Sequence, residues 1–186
     1  MRETDRELES LQAVLDASHA GSTEHLQGII SPERTLTARE IAALMTGMRV
    51  LSLATVTATG EPRISAVDGH FLHARWVFTT SGTAAKARHL RARPVVSAAH
   101  IDGEEVAVFT HGQVEFLDEG HLDREPVLAH LTEHYGTSPL SWGSDIAVCR
   151  VQSRWMVGYA FERDTLLAAR GVETDAASQG RTQRAG

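Results

Sequence analysis

Val77-Phe78-Thr79-Thr80-Ser81-Gly82-Thr83-Ala84-Ala85-Lys86-Ala87-Arg88-His89-Leu90 is the stretch on which the fold turns. A β-branched and aromatic run ends in hydroxyl residues, Gly82 permits a tight turn, and a helix begins. The free amides of a first helical turn and the positive end of its dipole favour a phosphate. Thr80, Ser81 and Thr83 add hydroxyl donors, Lys86 brings a charge into the first turn, and Arg88 is close by. A phosphate needs such donors together with one or two cations. The same pattern also suits an ordinary N-capped helix with solvated cations.

Working outward, Arg49 to Ala58 and Pro62 to Leu72 read as strands separated by a Thr59-Gly60 turn, and Arg75 to Thr80 as a third. A turn at His73-Ala74 is preferred to one at Asp68-Gly69 because it gives two longer strands. Downstream, a helix over 84–92 stops before Pro94. Val95 to Ile101 and Val106 to Leu117 are strands around an Asp102-Gly103 turn. Asp123 to Tyr135 is helical with Val127, Leu128 and Leu131 inward, residues 136–143 are a loop, and Ile146 to Val151 and Trp155 to Phe161 are the last strands. Near the start, Leu8, Leu11 and Leu15 recur at helical spacing, residues 20–34 read as a connection, and Thr37 with Glu40 forms a capping box. Ile41, Leu44 and Met45 face inward after it, and Gly47 is a stop. About seven strands against four helices, mostly joined by short turns, is antiparallel α+β, mainly β, around a small barrel or a strongly twisted sheet. The expected organisation is a helical extension over 1–34, a barrel domain over 35–165 and a tail over 166–186. From Gly171 onward that tail has almost nothing to bury and is expected to be disordered.

The 186 residues suit one domain with short extensions, and 42% hydrophobic against 23% charged is enough to build a core. A formal net charge of −6 argues against nucleic acid as a partner. The single cysteine, Cys149, excludes an internal disulfide and a cysteine zinc site. The first residues resemble neither a signal nor a transit peptide, and no apolar run is long enough to span a bilayer. A cytoplasmic protein without membrane contact is the expectation.

The order Leu53-Ala54-Thr55-Val56, Gly60-Glu61-Pro62-Arg63, Val77-Phe78-Thr79-Thr80, Lys86-Ala87-Arg88-His89-Leu90 resembles the flavin-binding split-barrel superfamily. That group holds the pyridoxamine 5′-phosphate oxidases and the flavin/deazaflavin oxidoreductases, and the likeness is nearest to their actinobacterial branch. It covers about residues 38–160. The resemblance implies a six-stranded antiparallel split β-barrel with peripheral helices. It also implies a homodimer with FMN bound in a groove between subunits, and hydride transfer to or from a small-molecule substrate over one face of the ring. Lys86 and its neighbouring hydroxyls would meet the cofactor phosphate. Arg63, Ser65, Thr79 and Thr80 would face the rest of the cofactor. Arg63, Arg88, Arg91 and Arg93 are the cations available to the acidic tail of the alternative, the deazaflavin coenzyme (F-420). A haem- or tetrapyrrole-binding protein without turnover is a further alternative, with His70 or His73 as ligand.

Two departures stand out. The oxidases carry a hydroxyl residue and an arginine just before the matching lysine, where this chain has Ala84 and Ala85, and no Arg-x-His occurs at its C-terminal end. Both argue against vitamin B6 oxidation. His130-Leu131-Thr132-Glu133-His134 spells H-x-x-E-H, but among Asp123, Arg124, Glu125 and Glu133 it reads as a solvated helix face, and no metal is expected. Trp142 and Trp155 read as core or interface residues that the resemblance could place on a cofactor wall.

Overall fold

The computed structural model describes residues 3–172. Six strands close a barrel: β1 (Met48–Val56), β2 (Pro62–Leu72), β3 (Arg75–Ser81), β4 (Val95–Asp102), β5 (Val106–Phe116) and β6 (Ile146–Ala160). They are ordered β1-β2-β3-β6-β5-β4, and every neighbouring pair is antiparallel. Closure rests on three residue pairs between β1 and β4, Ser52 to Ala54 against Ala99 to Ser97. Proline cannot donate to a ladder, so Pro62 fits the first position of β2. His73 and Ala74 form the β2–β3 turn with φ of 52° and 60°, the backbone a two-residue hairpin demands at both positions.

Alternation along the strands divides the side chains. Leu51, Leu53, Val67, Phe71, Trp76, Phe78, Ala98, Val108, Cys149 and Met156 are buried in the main core cluster. That core is closed from outside by α1 (Asp5–Ala20), through Leu8, Leu11 and Leu15, and by α3 (Ala38–Leu44), through Ile41 and Leu44. The Thr37–Glu40 capping box is formed at the start of α3. A smaller cluster lies outside the barrel, where Val127, Leu128 and Leu131 of α5 (Arg124–Tyr135) cover Leu72, Val77 and Val148.

The structure corrects several expectations. Residues 20–34 contain a helix, α2 (Glu24–Ile29), capped by the Thr23 side chain on the Leu26 amide. The loop at 136–143 contains a 3-10 turn, Pro139–Trp142. The two last strands are one: β6 runs through a bulge at which His111 pairs with Trp155 and Gly112 with Ser153, leaving Arg154 as the extra residue. Gly112 is required there, since a Cβ would stand 2.1 Å from the Gln152 carbonyl oxygen. The stretch expected as a tail from residue 166 begins inside a helix, α6 (Arg163–Ala169), whose Leu167 is fully buried in the main core. The rest of that expectation, over 173–186, lies outside the described residues. The strand count becomes six against the seven read from local pattern.

Candidate functional site

The β2–β3 ladder runs only from Leu72–Arg75 to Gly69–Phe78. Beyond that point β2 continues on β1 as far as Pro62, and β3 continues on β6 as far as Ser81. The barrel therefore splits between them. Arg63 and Ser65 stand on the β2 lip, and Thr79, Thr80 and Ser81 on the β3 lip. Ser65 pairs across from Leu53 and Arg63 from Thr55 on β1. Arg63 is exposed and turns its guanidinium to Glu61, at 2.8 Å.

The β3 lip leads directly into α4 (Ala85–Ala92). Ser81 Oγ and Thr83 Oγ1 share a hydrogen bond of 2.8 Å, and the Thr83 amide donates to Ser81 Oγ. Ala84 is the N-cap and has no side chain that could cap, so the first helical amides are left without a side-chain acceptor. Lys86, the only lysine in the chain, sits in that first turn, half-buried, with no hydrogen bond or ion pair among the described residues. Residues three and seven further along share its helix face. His89 Nδ1 meets Thr55 Oγ1 at 3.0 Å, and Arg93 Nε donates to the Val56 carbonyl at 3.1 Å. This face of α4 is thus pinned to the end of β1, beside the β2 lip. An uncapped helix start, two hydroxyls and an ammonium with no partner among the described residues make this a candidate cradle for a phosphate.

The remaining cations of the region are engaged. Arg88 donates to the Thr83 carbonyl, and Arg91 lies over the Phe116 ring at 4.2 Å with Asp118 at 3.9 Å. An acid borders the cradle: the Gly82 amide donates to the Asp145 carbonyl at 2.8 Å, and a Cβ on Gly82 would stand 2.3 Å from the Asp145 carboxylate. Gly143-Ser144-Asp145 carried no sequence signal, because only the fold brings it to Gly82. The Thr55–His89 contact was missed for the same reason, although the Lys86–His89 spacing was available.

A second surface adjoins the split. Val50, Val56, Ile64, Val95 and Ile101 are exposed large apolar residues, and they share the outward-facing register of β1, β2 and β4. Ser97 continues that face to His111 on β5, whose ring stacks on Trp155 at 4.6 Å and whose Nδ1 meets Ser97 Oγ at 2.8 Å. Trp142, nearly half exposed, packs edge-on against Tyr135.

The H-x-x-E-H segment is not a solvated face throughout. His130 Nε2 meets the buried His70 Nδ1 at 3.1 Å, and among the described residues no group of His, Cys, Asp and Glu is arranged to hold a metal ion. Both nitrogens of His70 are engaged, so it offers no iron ligand in this arrangement, whereas His73 uses only Nδ1, on Glu7. Cys149 is fully buried, and that burial pushes its thiol up to about 12.

A closed six-stranded antiparallel barrel whose β2–β3 ladder parts after four residue pairs defines the fold class. The sequence profile described as Pyridoxamine 5′-phosphate oxidase matches residues 37–170, and the chain belongs to that family. Among solved structures it is similar to the conserved hypothetical protein Rv2991 of Mycobacterium tuberculosis, at 19% identity and TM-score 0.60 over 70% of this chain and 88% of that one. It is similar to an FAD-binding protein of Mesorhizobium loti, at 23% identity and TM-score 0.52 over 68% and 94%. It is also similar to HutZ, the haem storage protein of Vibrio cholerae, at 24% identity and TM-score 0.54 over 61% and 89%. These likenesses show a shared fold. No curated protein matches the chain by sequence. No described helix is long and apolar enough to cross a membrane.

Proposed function

We propose that this protein is a cytoplasmic FMN-binding oxidoreductase, working as a homodimer on a small organic substrate. The observation that carries the proposal is the cradle at the start of α4: a capless helix N-terminus, Ser81 and Thr83, and the unpaired, half-buried Lys86. That set suits one terminal phosphate. Arg63, Ser65, Thr79 and Thr80, on the two lips, are the groups assigned to the ribityl chain and ring edge. Arg88 steadies the loop through the Thr83 carbonyl. The second copy is assigned to the uncovered apolar face of β1, β2 and β4. There the His111–Trp155 stack offers a flat wall for a ring held by the other protomer.

When bound, the flavin supplies the redox chemistry. The chain's own part is to hold the phosphate, orient the ring and keep water from the reacting face. No nucleophile is needed, in keeping with the buried Cys149. Engagement of Arg88, Arg91 and Arg93 favours FMN over a deazaflavin with an acidic tail, since each of those cations already has a partner.

The test is spectroscopic. Purified protein, as isolated or after FMN titration, is expected to show flavin absorbance, and Lys86→Ala is expected to weaken FMN binding at least tenfold while leaving the circular dichroism unchanged. Removing a charge-assisted phosphate contact costs about 1.5–3 kcal/mol, which is tenfold or more. Failure to take up FMN under any condition, or unchanged affinity in Lys86→Ala, overturns the reading. Uptake of haem or the deazaflavin coenzyme instead selects the corresponding alternative.

A further inference from the structure

Beneath the C-terminal end of α5 lies a cluster the flavin reading does not use. His70, only 1% exposed, projects from β2. Its Nδ1 meets His130 Nε2 at 3.1 Å and its Nε2 meets the Tyr135 hydroxyl at 3.0 Å. The His134 ring packs edge-on at 4.8 Å from it, and Tyr135 in turn supports Trp142 of the 3-10 turn. We infer that this His70–His130–His134–Tyr135 cluster is an acid-released latch that holds the last turn of α5 and the following 3-10 turn against β2.

The geometry limits how many protons the cluster can take. Each of the two hydrogen bonds of His70 needs one donor, and a neutral imidazole satisfies both. One added proton can be shared across the His70–His130 contact. A second puts two N–H groups into one 3.1 Å gap and two like charges on adjacent rings. Burial, followed by the His130 and His134 charges, accordingly lowers His70 to about 4. A depressed pKa in the folded state means stability that is complete above the ordinary histidine value and is lost as pH falls from about 6.5 towards 4.

The other charged groups around the cluster are Asp68 on β2, which acts on Tyr135, and Glu3, which lines the same small cavity as His70 and His130; Glu133 precedes His134 on α5 itself. Thr46 and Gly47, between α3 and β1, add no charge there. The opposite end of α5 is tied differently. Arg150 bonds Asp123 and, at 2.8 Å, Glu115. Burial alone would raise Glu115, but hydrogen bonds from Arg150, Gln152 and His121 bring its carboxyl down to about 2, so this tie outlasts the latch in acid. The helix is therefore hinged at Arg124 and latched at Tyr135. Opening frees Trp142 and the chain leading to Asp145, which borders the phosphate cradle through Gly82. The latch belongs to the fold and stands whatever the cradle binds.

Hydrogen exchange of the full chain between pH 7.5 and 4.5, corrected for the intrinsic pH dependence of exchange, tests it. Residues 130–142 are expected to lose protection roughly tenfold or more ahead of the barrel strands, while the Arg124 and Val127 amides, bonded to the His121 and Asp123 carbonyls, stay protected. His134→Gln removes one like charge from an exposed position and should move the transition to lower pH. His130→Gln keeps a hydrogen-bonding side chain and should do the same. Loss of protection over 130–142 only together with the barrel, or a transition that neither variant moves, overturns the proposal.

Discussion

Asp145 lies against Gly82, four residues before Lys86, and so brings a carboxylate to the candidate cradle. A carboxylate beside a phosphate site opposes the anion, so Asp145→Asn is expected to tighten FMN or inorganic phosphate binding about two- to fivefold, the range of an exposed charge pair. Isothermal titration measures it, and an unchanged or weaker affinity would show that Asp145 does not face the bound anion. Gly82 has no room for a methyl group against that carboxylate. The Cys149 thiol, buried and shifted to about 12, should not react with a thiol reagent at pH 8 until the protein unfolds. Lys86, Ser81 and Thr83 were legible in the sequence because helix-start chemistry is local. Asp145 was not, because its role depends on where β6 begins.

At the scale of elements, α3 and α6 depend on one carboxylate. Glu40 is fully buried, accepts from the Thr37 amide at 2.9 Å and receives the Arg163 Nε at 3.1 Å. Thr37→Ala removes only half the capping box and should cost about 1 kcal/mol. Glu40→Ala should cost more, about 1.5–3 kcal/mol, because it also removes the charged hydrogen bonds to Arg163, which keeps only Asp164. Urea denaturation separates the two, and equal losses would mean that the α6 tie contributes nothing. The capping box was readable from Thr37 and Glu40 alone, and the β2 ends from Pro62 and the His73-Ala74 turn. The α6 helix was not readable: its stabilising partner is 123 positions away, and Leu167 finds its core only in the folded barrel. The polar pair Ser153-Arg154 looked like a break between strands because a bulge and a turn have similar composition.

For the whole molecule, a barrel whose outward β1, β2 and β4 positions carry Val50, Ile64, Val95 and Ile101 exposes more apolar surface than one protomer can cover. Ile64 is 76% exposed. If a second copy covers that face, Ile64→Glu should turn a dimer into a monomer by light scattering and weaken FMN binding with it, while the far-ultraviolet spectrum stays unchanged. A dimer that persists would place the interface elsewhere. β-branched runs between turn signals made the strands legible, whereas the split needed the ladder itself, since nothing in Asp68 or Thr79 announces where two strands part. With seventeen arginines and one lysine in the sequence, the start of α4 also holds the chain's single ε-amine. Acylating reagents that ignore guanidinium groups thus have one side-chain target, and the yield of that one adduct, read by intact mass, becomes a gauge of whether the cradle is filled.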